Sequence, residues 1–149
     1  MMNELQIFNT EDLTPLKTIE KNLKTYFGIV YFLEYGDSLK IGRSIKPYNR
    51  MMSLKREATK YNGTKLGRVA ISPPHTNIAE NEKVFHKYFE DKRINDTELF
   101  NISFDDLLQA YSDISVLYKD ESEEIERQSE LFCEGMKSLL ASVHNSYTR

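Results

Sequence analysis

The chain has 149 residues, 40% of them apolar and 29% charged, with a formal net charge of -3. That is the composition and size of one ordinary globular domain with room for a small appendage, and it excludes a disordered tail or an indiscriminate polycationic coat protein. No run approaches the roughly 18 apolar residues that a spanning helix needs, and the opening MMNELQIFNTEDL lacks a cationic and then apolar leader, so a cytoplasmic protein with no membrane association is expected. A single cysteine, Cys133, leaves no internal disulfide, and three histidines give a zinc site little support. Beside Phe132 in a helical pattern, Cys133 reads as an ordinary packed thiol.

Charge is unevenly spread. Nine basic residues and one acid, Glu57, lie between Lys40 and Arg68, whereas twelve acids stand against Lys119 and Arg127 between Asp96 and Glu134. A chain polarised in this way suits a basic face for phosphates, although both runs are equally explained as solvated faces.

Residues 5–27 form an amphipathic lead-in with apolar patches LQIF and TYFG around a polar stretch. FGIVYFLE and LKIGR, joined by the turn YGDS, predict a hairpin with strands over 27–34 and 38–43. Pro47 opens a helix over 47–60 whose apolar positions Met51, Leu54 and Ala58 keep helical spacing. KLGRVAISPP predicts a strand over 66–72. A second helix follows over 77–90, with Asn77 and Glu80 fitting a capping box. TELFNI suits a short strand, FDDLLQAYSDISVLY a third helix and SEEIERQSELFCEGMKSLLASVHN a fourth. The expected fold is α/β (α+β), a small three-stranded, mostly antiparallel sheet flanked by helices, with 47–60 and 77–90 on one face and a C-terminal helical extension. The expected organisation is a lead-in over 1–26, a main domain over 27–102 and an acidic helical extension over 103–149.

Hairpin register carries the functional reading. With YGDS as the loop, Glu34 pairs with Leu39, Leu33 with Lys40 and Tyr31 with Gly42. Alternation then puts Tyr31, Leu33, Lys40 and Gly42 on one face, and the apolar Val30, Phe32, Leu39 and Ile41 on the other. Tyr31 and Lys40 are diagonal neighbours, with Gly42 leaving space beside the phenol. On the second helix, Glu82 completes the apolar stripe between Ile78 and Phe85, with His86 one turn on. A carboxylate on a buried stripe is costly without a cation, a metal or a hydrogen-bond donor. Arg50, beside the inward position Met51, is one such partner. On pattern alone, a structural Arg50–Glu82 ion pair fastening two helices to the sheet explains both residues as well as a reactive site does.

The series GIVYFLE, LKIGRS, PYNR, ENEKVFH and ELF resembles the GIY-YIG nuclease superfamily, in the phage-type branch that reads Val-Tyr-x-Ile and Lys-Ile-Gly. The resemblance covers residues 27–101. Tyr31 matches its first tyrosine, Lys40 stands where most members have the second, Gly42 is the motif glycine, Arg50 the helix arginine and Glu82 the metal-binding glutamate. Leu99-Phe100 replaces the usual Trp-Phe. The opening MNELQIF also resembles phage antirepressors of the Bro type, which fits a phage or mobile-element origin in a bacterial host.

What the resemblance implies is an endonuclease acting on DNA phosphodiesters with Mg²⁺ or Mn²⁺. Tyr31, its pKa lowered by Lys40, would be the general base, Arg50 would hold phosphate oxygens, and Glu82 would bind the metal. Arg43 and Ser44 would line the phosphate path beside Gly42. His86 would orient Glu82, relay a proton, touch phosphate or serve only packing. The alternative is a catalytically inactive DNA-binding or regulatory phage protein that retains the fold. In the C-terminal helix, Ile125, Phe132, Met136, Leu139 and Val143 form a seam that suits either folding back onto the domain or a two-fold homodimer.

Overall fold

The apolar run IVYFL has no polar break, which is the mark of a strand covered on both faces. A computed structural model, describing residues 4–147, bears this out. Strand β2 (Ile29–Tyr35) pairs with β3 (Ser38–Ser44) in the expected register, Tyr31 opposite Gly42 and Leu33 opposite Lys40. Gly36, at φ +61°, takes the left-handed conformation that this tight loop requires.

The sheet has five antiparallel strands, not three. Their order is β1-β4-β2-β3-β5, with β4 spanning Leu66–Ile71. The two additional strands are β1 (Gln6–Asn9), which pairs with β4, and β5 (Leu99–Phe100), which pairs with Leu39 and Lys40 of β3. Both are short edge strands: β1 falls in the lead-in, where no strand is expected, and β5 is the short strand that TELFNI suits, here joined to the sheet.

Helices cover both faces, which corrects the expectation of one. On one side α1 (Thr14–Asn22) and α2 (Pro47–Tyr61) close an aliphatic core in which Leu16, Met51 and Leu54 meet Ile29, Tyr31 and Leu33. On the other, α3 (Ile78–Tyr88) and α4 (Phe104–Tyr111) close an aromatic core around Phe32, Phe85, Phe100 and Phe104. Phe32 and Phe85 meet edge to face with ring centroids 4.9 Å apart.

Helix α4 is capped by Ser103, whose Oγ accepts from the Asp106 N–H at 3.0 Å. Helix α3 has no capping box: Asn77 and Glu80 bond side chain to side chain, Nδ2 donating to Oε2 at 3.2 Å, and Asn77 otherwise faces the segment after α4. Its Oδ1 accepts from the Lys119 N–H, and its Nδ2 donates to the Leu117 carbonyl at 2.9 Å. Asn81 Nδ2 donates to that same carbonyl, also at 2.9 Å. Residues 112–121, expected in part as helix, thus form a strap across the start of α3. The strap leads into α5 (Ser122–Tyr147). Cys133, expected to be packed, is exposed on α5.

Candidate active site

The paired part of β5 reaches no further along β3 than Lys40, followed by one bond from the Ile41 N–H to the Glu98 carbonyl at 3.0 Å. Around the outer edge of β3, side chains from the two faces of the sheet come together. Tyr31 arrives from the aliphatic face, where it is 1% exposed. Its ring lies across Gly42, where an added Cβ would come within 2.6 Å of the phenol Cζ. Glycine at 42 therefore makes room that the phenol itself fills, rather than leaving a gap beside it. From the second turn of α2, Arg50 Nε donates to the Tyr31 hydroxyl at 3.4 Å.

The aromatic face contributes Glu82. It lies on the buried stripe of α3, 8% exposed, as its position between Ile78 and Phe85 predicts. Its cation is Arg43, with Nη1 3.2 Å from Oε1, and not Arg50. Strand parity explains the exchange: Arg43 projects to the same face as Ile41, the face α3 covers. Lys40 does not partner Tyr31 either, since its ammonium lies 3.4 Å from Glu98. Glu98 was not singled out in the sequence. The signal was available, because TELF places an acid one residue before a strand that pairs with Lys40.

These groups share one electrostatic neighbourhood. Burial raises the Tyr31 pKa above the ordinary tyrosine value; the Arg50 hydrogen bond and charge oppose the shift, while Glu98 and Glu82 reinforce it. The expectation that Lys40 lowers it is overturned. Burial likewise pushes the Glu82 carboxyl above the usual range, against Arg43 and His86 and with help from Glu98. A buried acid beside a buried phenol is the kind of pairing that accumulates at reactive sites.

Two expected site residues are committed to structure. His86 Nε2 lies 2.9 Å from the Ile41 carbonyl and Nδ1 3.1 Å from Arg93 Nη2, so Nε2 carries the proton and Nδ1 accepts. The ring is thereby fixed between α3 and β3, and neither nitrogen is left to shuttle protons. Ser44 Oγ accepts from the Lys46 N–H at 2.9 Å and turns the chain into α2.

Among the described residues no three His, Cys, Asp or Glu side chains gather into a metal cage. Glu82 offers one carboxylate, with Glu98 in the same neighbourhood. That suits a hard cation such as Mg²⁺, which keeps several waters and borrows phosphate oxygens from its substrate, and does not suit zinc. No helix of the described residues is long and apolar enough to cross a membrane.

A family model described as the T5orf172 domain matches residues 28–115. This is a different family from the GIY-YIG superfamily that the motifs resemble, and no GIY-YIG model matches, so that assignment is corrected. The matching domain is of nuclease or DNA-binding type, which makes the function DNA-related in general terms. No curated protein and no solved structure matches the chain.

Proposed function

We propose that this chain, which belongs to the T5orf172 domain family, is an endonuclease that hydrolyses DNA phosphodiester bonds at the edge of β3. The observation that carries the reading is the convergence of a buried tyrosine, two arginines and a buried glutamate from opposite faces of the sheet. Packing alone gives no reason to desolvate Glu82 near Tyr31, since the Glu82 charge raises the Tyr31 pKa while burial raises that of Glu82 itself.

Each requirement of phosphodiester hydrolysis has a candidate in the chain. Arg50 offers its planar fork to the non-bridging oxygens, and Arg43 stands ready to transfer from Glu82 to phosphate. Glu82, released from Arg43, would hold Mg²⁺ or Mn²⁺. When bound, the metal supplies positive charge to the transition state and a more acidic water. Tyr31, as phenolate, accepts a proton from the attacking water, and the departing alkoxide is reprotonated from solvent. Lys40 is held at the edge of β3 by Glu98 and contributes positive charge towards the same phosphate. His86 positions α3 against β3 and takes no part in proton transfer.

A second reading, a DNA-binding or regulatory protein that cuts nothing, is favoured by the raised pKa of Tyr31, which disfavours a phenolate base at neutral pH. One assay separates the two. Supercoiled plasmid is incubated with Mg²⁺, Mn²⁺ or EDTA, and DNA binding is followed in parallel. Metal-dependent nicking that is lost in Glu82→Ala and Arg50→Ala, both still folded, supports the nuclease. Binding without nicking under every condition supports the second reading, and a Glu82→Ala that cuts like wild type removes Glu82 from the chemistry.

A further inference from the structure

Helix α5 lies outside the residues matched to the domain family and is exposed at every position from Glu126 to Ala141. Its apolar side chains are not scattered. Phe132 (69% exposed), Met136 (41%) and Leu139 (56%) fall at four- and three-residue steps along one stripe, which Ile125 extends towards the start of the helix. Leu140, 63% exposed, widens it. Val143, the last member of the seam, lies outside the residues whose side chains are described. The expectation that this helix folds back onto its own domain is not what the structure shows. A stripe of this size in water is an interface waiting for its other half.

Charge says which other half. Residues 122–134 carry five glutamates and one arginine, whereas residues 135–147 carry one lysine and no acid. The N-terminal half of α5 is therefore close to -4 and the C-terminal half close to +1. Two parallel copies would set acidic half against acidic half. Two antiparallel copies set acidic half against basic half, removing that repulsion and adding attraction. The apolar spacing accepts the same arrangement: a two-fold axis at position 134 places Phe132 of each copy opposite Met136 of the other, and Ser129 opposite Leu139. Gly135, whose Cα has no neighbour within 4 Å of an added Cβ, sits beside the axis, where close helix approach is needed.

We propose that α5 is a homodimerisation helix that pairs antiparallel with a second copy of this chain, centred on residues 132–136. At about 1.5 Å per residue, 26 residues give a seam about 39 Å long. Two symmetry-related polar layers, Ser129 of each copy against Leu139 of the other, make the pairing moderate in strength and favour one register over its neighbours.

Analytical ultracentrifugation of the full chain across a concentration series tests this. Wild type is expected to sediment at about twice 17.5 kDa at tens of micromolar and to dissociate on dilution. Met136→Asp and Phe132→Glu, both at exposed positions, are expected to weaken association at least tenfold with unchanged circular dichroism. Raising salt from about 50 mM to about 500 mM is expected to weaken the dimer, because screening removes an attraction. A wild-type monomer throughout overturns the proposal. A dimer indifferent to both substitutions places the interface elsewhere and overturns it too. A dimer strengthened over that salt range overturns the antiparallel arrangement, since only the parallel one gains from screening. None of these outcomes depends on whether the chain cuts DNA.

Discussion

The two faces of the sheet are built from different materials. The α1–α2 face is mainly aliphatic, with Leu16, Ile29, Leu33, Met51 and Leu54 around one fully buried aromatic, Tyr31, and Phe8, Tyr35 and Tyr48 at its margin. The α3–α4 face is dominated by phenylalanine, with Phe32, Phe85, Phe89, Phe100 and Phe104 in one cluster. Large flat rings fix α3 at a defined distance and tilt, which is what a helix bearing a buried glutamate needs. The aliphatic side holds a phenol whose own ring must lie flat on Gly42, and small branched residues pack around it without competing for that space. One face sets position and the other leaves room, and the proposed site lies where they meet.

The largest expected effect breaks the aromatic face. Phe85→Ala removes a fully buried ring that meets Phe32 edge to face and stacks on Tyr111, and should cost about 3–5 kcal/mol of stability in urea unfolding. The corresponding cut on the aliphatic face, Leu54→Ala, should cost about 2–5 kcal/mol and loosen α2, which carries Arg50. A loss below about 1 kcal/mol in either would mean that the face is not packed as described.

The next effect is on chemistry, with stability nearly spared. Glu82→Ala and Arg50→Ala should each cost about 2–4 kcal/mol of transition-state stabilisation, a fall in cleavage rate of roughly 30- to 900-fold in a nicking assay. Unfolding of both variants instead would return them to a structural role.

Acidity sharpens the comparison further. If Tyr31 must be deprotonated, its raised pKa makes the rate climb with pH through neutrality and beyond, and Tyr31→Phe should abolish that climb rather than shift it. Glu98→Gln removes a charge that raises both Tyr31 and Glu82, so the rising limb should move to lower pH. For Glu82 the folded pKa lies above the unfolded one. Its contribution to stability is therefore full below the ordinary carboxylate pKa and is lost as pH rises through the higher folded value. Wild-type stability should decline across that window while Glu82→Gln stays flat. A steeper decline in the variant would reverse the assigned sign.

The smallest effect concerns the half-buried ion pair between β3 and the start of β5. Breaking Lys40–Glu98 by Lys40→Ala should change stability by no more than about 1 kcal/mol, because the Glu98 side chain is 42% exposed and screened. The readout is DNA affinity, which should fall while the fold holds.

How much of this was legible depended on range. The β2–β3 register, the pairing of Tyr31 with Gly42 and the burial of Glu82 all follow from period-two or helical spacing within a dozen residues, and each is found. Long-range partners were not legible. Arg50 was matched to Glu82 by charge alone, although Arg43, on the face α3 covers, was the residue parity favoured. The strand count missed β1, four residues long, and left the short TELFNI strand, found as the two-residue β5, out of the sheet; both exist because β4 and β3 offer them edges. Tyr31 and Lys40 suggested an open face, yet the unbroken IVYFL already argued for cover on both sides.

The strap over α3 has a mechanical consequence. Leu117 offers one carbonyl to amides on successive turns, Asn77 and Asn81, and the next residue after Asn81 is Glu82. Five residues beyond Leu117 the chain enters α5. A torque on the outboard helix meets the bonds of Thr76 and Asn77 to Lys119 and Glu121 first and the two Leu117 bonds last, the final one within one residue of the carboxylate at the sheet edge. Whatever grips α5 holds a short lever whose working end is the start of α3.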